Sequence, residues 1–206
     1  GNSVQFTDES TGSPTSWSWD FGDGSTSTQQ NPSHTYNSAG TYTVELTVSN
    51  DYGSDTETKT DYINVSVPTI DFNGTTLYVY AEDNHGSIEW GGYGIEITDG
   101  NGAGSDTDGE ANTSAIVSQL GSDGHAAYLC DTLSAYGYND WYLPAKSELN
   151  ALYQNKDAIG GFSSSHYWSS TEHDAYYAWD QDFDYGNQDD TNKSYSHYWV
   201  RCVRRD

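Results

Sequence analysis

From Val4 to Val67 the chain never runs far before it must turn. Gly12-Ser13-Pro14, Gly22-Asp23-Gly24, Asn31-Pro32-Ser33 and Ser38-Ala39-Gly40 cut it into short pieces. Within SWSWDF, TYTVELTVS and DYINVSV, apolar and polar residues alternate. A period of two belongs to a strand with one buried face, and turns this frequent leave no length for a helix. The segment is therefore predicted to fold as a small β-sandwich. Pro68, in Ser66-Val67-Pro68-Thr69, interrupts pairing and marks the boundary of a second domain, so the expected division is 1–67 and 68–206. Only 33 % of the 206 residues are hydrophobic, which suits two small units better than one large globule; aromatics at 15 % supply the cores.

The second domain is predicted to mix strands and helices. TLYVYAE and GYGIEIT read as strands, followed by the loop DGNGAGSDTDGE. That loop misses the EF-hand spacing. A flexible acidic loop is expected, with a Ca²⁺ held by Asp99, Asp106, Asp108 or Glu110 as the open alternative. Asn112 or Thr113 can cap a helix that Gly121 ends. Ala126, Leu129, Cys130 and Leu133 line one face of a second helix. A third is expected to start at Pro144 and bury Leu149, Leu152 and Tyr153.

Charge limits the function. Against 31 acidic residues stand 7 basic ones, for a net charge of -24. Such a chain repels phosphate backbones and anionic lipid surfaces. No apolar run approaches the length of a membrane span. The chain opens on Gly1-Asn2-Ser3 without a leader, as expected of a mature or excised fragment. Its two cysteines, Cys130 and Cys202, are too far apart for a zinc motif or a redox dithiol. One long-range disulfide, implying an oxidising compartment, is the simplest use, and two buried free thiols are the alternative.

Two resemblances sharpen this picture. Trp19-Asp20-Phe21-Gly22-Asp23-Gly24, Pro32-Ser33-His34-Thr35-Tyr36 and Gly40-Thr41-Tyr42-Thr43-Val44, in that order, resemble the PKD (polycystic kidney disease) domain. That family is an immunoglobulin-like sandwich used as an extracellular spacer. Trp19 and Phe21 can face inward, while Asp20 and Asp23 can accept backbone N–H bonds in the Gly-rich turn or, alternatively, bind calcium. Further on stand Gly109-Glu110-Ala111-Asn112-Thr113, the run Asp140 to Leu149 (DWYLPAKSEL), Tyr167-Trp168-Ser169-Ser170-Thr171-Glu172 and Val200-Arg201-Cys202-Val203-Arg204. Together they resemble the C-type-lectin-fold domain that ends bacterial collagen-like surface proteins. The resemblance implies a last strand lying beside the first helix and a Cys130–Cys202 disulfide joining the two. The same fold includes formylglycine-generating enzymes, but their reactive cysteine pair does not carry over, because both cysteines here are expected in structural places. The Glu-Pro-Asn, Gln-Pro-Asp and Trp-Asn-Asp signatures of calcium-dependent lectins do not occur in the sequence.

Between about 173 and 198 the sequence exceeds what packing requires. Trp168, Trp179, Phe183, Trp199, Val200 and Val203 form a sparse apolar frame, with Lys193 and Arg201 as further frame positions. Between them stand His173, Asp174, Tyr176, Tyr177, Asp180, Asp182, Asp184, Tyr185, Asn187, Asp189, Asp190, Asn192, Tyr195, His197 and Tyr198. By the period of two, Trp179, Gln181 and Phe183 share one face of a strand, and Asp180, Asp182 and Asp184 the other. Tyr beside Asp or Asn on a rigid frame is the composition of a recognition surface. The segment resembles the variable region of proteins diversified by retroelements, which rewrite Asn codons and spare Trp and Lys, at the end of a C-type-lectin fold. The expectation is an extracellular or cell-surface display protein with a PKD-like spacer. Its partner would be a protein or glycan, basic or metal-bridged. The alternatives are a fixed adhesin or carbohydrate binder and an assembly subunit. With no nucleophile–base or metal constellation in view, neither an enzyme nor a required cofactor is expected.

Overall fold

The computed structural model describes residues 2–206, and the chain divides into two compact units after Ser66. In the first, β1 (Asn2–Gln5) pairs antiparallel with β4 (Ser33–Tyr36). A second sheet runs β3 (Thr26–Ser27), β2 (Ser16–Asp20), β5 (Gly40–Asn50), β6 (Gly53–Val65). The strands follow the alternation in sequence. Trp19, Phe21, Tyr36, Val44 and Val65 are buried with Phe6, while β6 is exposed along most of its length. The Phe21 ring stacks on His34 at 4.1 Å. Asp20 and Asp23 close the turn: Asp20 accepts the Gly22 N–H at 2.8 Å and Asp23 that of Ser25 at 2.9 Å. Gly22 has φ +80° and faces the Thr43 carbonyl, which a Cβ would meet at 2.3 Å, so no other residue fits. This is an immunoglobulin-like sandwich, as expected from the sequence.

The second unit has two sheets. β7 (Thr69–Phe72) and β8 (Thr75–Val79) form a hairpin, and β14 (Val203–Arg205) pairs with β8. The larger sheet runs β12 (Gln188–Asn192), β11 (Tyr177–Asp182), β10 (His166–Glu172), β13 (Tyr198–Val200), β9 (His85–Ile88). Only β10 and β13 are parallel. Between β9 and β10 lie α1 (Gly109–Leu120), α2 (Ala126–Asp131), α3 (Lys146–Gln154) and the short α4 (Lys156–Ile159). Ile70, Leu77, Val79, Tyr142, Leu149, Leu152, Tyr167, Phe183 and Val203 form a buried apolar cluster.

Several elements depart from expectation. GYGIEIT is not a strand: Gly92 and Gly94 take positive φ, and Ile95 is exposed. The paired strand is β9 instead. Asp108, not Asn112 or Thr113, caps α1, accepting from the Ala111 N–H at 3.1 Å. Gly109, the first residue of the helix, lies against the Leu143 carbonyl, where a Cβ would be 2.6 Å away. Asn112 and Thr113 are buried braces: the Thr113 hydroxyl bonds the N–H and C=O of Leu143, and Asn112 reaches Ser105 and Ser170. α2 stops before Leu133, and Leu129 is half-buried. α3 starts at Lys146, not Pro144, and leaves Tyr153 half-buried. Cys130 and Cys202 are joined, but the disulfide ties α2, not the first helix, to the link between β13 and β14.

Candidate ligand-binding surface

The expected site divides into a frame that is buried and a set that is largely exposed. Phe183, Lys193, Val200 and Arg201 are buried. Lys193, 0 % exposed, is paired with Glu172, donates to the Ile95 carbonyl at 2.9 Å and lies 4.6 Å from the Trp90 ring centroid. Burial pulls its pKa down and the Glu172 carboxylate pulls it back. Arg201 donates to Asp83 and to the Tyr80 and Gly160 carbonyls, and its guanidinium covers Phe162. These two cations hold the segment to the loops around 81–84, 95–97 and 160–162.

Trp179 and Trp199 are less buried than a frame residue was expected to be. Trp179 carries the Lys146 ammonium 3.0 Å above its ring and His173 at its edge. Trp199 lies over Gly86, where a Cβ would meet its ring at 2.8 Å.

Of the polar set, His173, Asp174, Tyr176, Tyr177, Asp184, Tyr185, Asn187, Asp189, Asp190, Tyr195 and His197 are exposed, and Asn192 and Tyr198 are half-buried. Asp180 and Asp182 are not on a solvent face: both are buried. Asp182 closes the turn after β11, accepting from the N–H groups of Asp184 and Tyr185 at 2.7 and 3.2 Å. Asp184 stands in that turn, beyond the strand. Asp174 does similar work before β11, accepting from Tyr176 and Tyr177 at 2.7 and 2.9 Å; those bonds, the Tyr176 one foremost, lower its pKa.

Strand pairing splits the set between two faces of one sheet. Residues directly opposite in register share a face. Asp180 lies opposite Trp168 and Asp189, Asp182 opposite His166, and Ala178 opposite Thr191. Tyr177, Trp179 and Gln181 lie opposite Asn192, Asp190 and Gln188 on the other face, toward α3, where Gln188 donates to the Lys146 carbonyl at 2.8 Å. On the first face His166 Nδ1 is 2.8 Å from Asp180 Oδ1. Burial pushes the Asp180 pKa up, with the His166 bond opposing it. Tyr198 stacks on His166 at 4.8 Å, and Tyr195 meets Tyr198 edge-on at 5.0 Å.

Sequence reasoning passed over His166, a face neighbour of two buried carboxylates, and Tyr93. The exposed Tyr93 ring lies 5.4 Å from Tyr176. His166 stood next to the Tyr-Trp-Ser-Ser motif and could have been placed by strand period; nothing local marks Tyr93. Among the described residues no group of three or more His, Cys, Asp or Glu is placed to hold a metal ion. In the acidic loop Asp99 accepts the Ser118 hydroxyl at 2.9 Å, and Asp108 caps α1 and pairs with Arg205.

The chain is thus an immunoglobulin-like sandwich followed by an α+β, C-type-lectin-like unit, the latter with a polar, Tyr-rich sheet surface. Residues 2–65 match the PKD domain, and residues 80–204 match the Lcl C-terminal domain, that of the Legionella collagen-like protein. The chain belongs to the Lcl C-terminal domain family, with a PKD domain in front. It is 46 % identical over 61 residues to collagenase ColA of Bacillus cereus, 28 % of this chain and 6 % of that one. It is 47 % identical over 57 residues to a microbial collagenase of Vibrio alginolyticus, 26 % of this chain and 7 % of that one. The chain thus spans well under a tenth of these relatives. Among solved structures it is similar to the PKD1 domain of the Vibrio cholerae metalloprotease PrtV, with 49 % identity, 26 % of this chain and 65 % of that one covered, and a TM-score of 0.24.

Proposed function

We propose that this chain is an extracellular ligand-binding protein in which the PKD domain is a spacer and the Lcl C-terminal domain displays a binding surface diversified by a retroelement. The observation that carries this reading is the separation of labour in the last strands. Lys193, Arg201 and Phe183 bind the fold together from within, while Asp184, Tyr185, Asn187, Asp189, Asp190 and Tyr195 project outward. Positions of the second kind can change without disturbing the first. Tyr176, Tyr177, Tyr185 and Tyr195 are the anchors, since aromatic residues contribute large contact area for little lost rotamer freedom. A protein or glycan partner is expected, and no reaction. No membrane or nucleic-acid role is proposed, because the -24 charge opposes both. The PKD domain shared with collagenases supports an extracellular setting.

The deciding observation lies in the neighbouring DNA. A near-copy of the last codons beside a reverse transcriptase gene is expected. An isolated gene with neither would replace this reading with a fixed adhesin or carbohydrate binder.

A further inference from the structure

The face that carries Asp180 gathers carboxylates and aromatic rings. Asp180 is 1 % exposed, and only one of its two carboxylate oxygens has a hydrogen-bond partner, His166. The other, Oδ2, is buried with none within hydrogen-bond distance, although the Thr191 hydroxyl is near enough to lower the Asp180 pKa. A buried acceptor left unsatisfied is costly, and a charged one more so. Asp189 stands directly opposite Asp180 in the register and is exposed. His166 and Tyr198 are stacked within 8° of parallel, and Tyr195 stands at their edge. Carboxylates thus lie beneath and beside a row of rings.

Apart from His166, whose Nδ1 pairs with Asp180, no cation of the unit answers them. Lys193 is spent on Glu172, Arg201 on Asp83, Arg204 on Asp140 and Arg205 on Glu148. Lys146 lies on Trp179, across the sheet, and Lys156 donates to the Phe183 carbonyl. A permanently charged partner for this face therefore has to come from outside.

We propose that the row His166–Tyr198–Tyr195, with Asp180 beneath and Asp189 beside it, is a subsite for a guanidinium group, the side chain of an arginine on a protein partner. The proposal rests on the display reading and names the partner's chemistry. A guanidinium is planar, weakly hydrated and able to lie on an aromatic ring while its N–H fork meets a carboxylate. An ammonium matches this less well, since it is a compact and strongly hydrated point charge. Asp180 lies below the surface, where its charge is poorly screened and acts on a cation held above it. Asp189 supplies the direct contact.

The test uses the full chain and fluorescently labelled octa-arginine, octa-citrulline and octa-lysine peptides at about 0.15 M salt. Citrulline keeps the shape of arginine without its charge. Octa-arginine is expected to bind about tenfold tighter than octa-citrulline and measurably tighter than octa-lysine. Asp180→Asn, Asp189→Asn and Tyr195→Ala should each weaken arginine binding at unchanged circular dichroism. Asp123→Asn and Asp131→Asn, exposed acids near α2, should not. Should Asp180→Asn unfold, the exposed pair Asp189 and Tyr195 carries the test. Equal binding of arginine and citrulline, equal binding of arginine and lysine, or equal losses at Asp131 and Asp189 would each overturn the subsite, as would no arginine binding at all. The display reading would survive any of these, because it stands on the neighbouring DNA and on the tolerance of the polar positions.

Discussion

At the scale of single residues, Asp180 and Glu148 set themselves apart from the other carboxylates. Burial raises the pKa of both. Glu148 is nevertheless satisfied, accepting from Ala145, Gly109, Tyr142 and Arg205. Asp180 is not. A group whose folded-state pKa is raised binds its proton more tightly in the folded than in the unfolded state. Its stabilising contribution is complete below the ordinary carboxylate value, about 4, and is lost as pH rises through the raised value. Asp180→Asn removes that dependence and keeps the bond to His166. The variant's melting temperature should therefore gain on the wild type's as pH climbs from about 4 toward neutrality. His166 on β10 and Asp189 on β12 are the titratable neighbours that shape the curve. A gap that narrows with rising pH would mean that the His166 pair outweighs burial. Phe183 and Trp179 make a second contrast. Phe183 is core, and Phe183→Ala should cost about 3–5 kcal/mol. Trp179 is half-buried under Lys146, and Trp179→Ala should cost about 1–2 kcal/mol, part of it the cation–π contact. Equal losses in thermal unfolding would put Trp179 back in the core.

At the scale of elements, the stretch from the β11–β12 turn to the loop after β12 is where display and folding can be separated. Asp184, Tyr185, Asn187, Asp189, Asp190 and Tyr195 are all exposed. Changed together to Ser or Ala they should leave a folded domain, at within about 0.5 kcal/mol per position. Asp182 must be kept out of the set, because it holds the turn's N–H groups and its loss should cost about 1 kcal/mol by itself. If the multiple variant melts as early as Phe183→Ala, the surface is structural. The same elements show what the sequence could and could not tell. The PKD strands were legible because period two and the Gly-Asp turns agree. β9 and β12 were not, because HGSI and QDDTN carry almost no apolar residues and form only as neighbours of strands already in place. GYGIEIT misled for the opposite reason: it has strand-like residues, but its glycines take positive φ. The Asn73-Gly74 pair, both at positive φ between β7 and β8, was a hairpin signal that period alone does not register. For the site, residue types were legible and faces were not: which of Asp180 and Asp190 meets solvent depends on what covers each side of the sheet.

At the scale of the whole chain, the two units differ in what holds them. The first, through Ser66, has no cysteine; the second contains the Cys130–Cys202 bond across 72 residues. Closing a loop of that length stabilises by about 4 kcal/mol in the chain-entropy model. Calorimetry of the full chain should accordingly show two transitions, of which reductant lowers only one. Cys202→Ser should reproduce the shift without reductant. The transition that does not move should coincide with that of residues 1–66 expressed alone. The same fragment tests the division of function. It contains none of the exposed Tyr–Asp surface, so it should bind no ligand that the full chain binds, and residues 67–206 should retain that affinity. A single transition that moves as one under reductant would mean that the units fold as a cooperative whole. Ligand affinity in 1–66 would mean that the PKD domain is the binder and the lectin-like unit its companion.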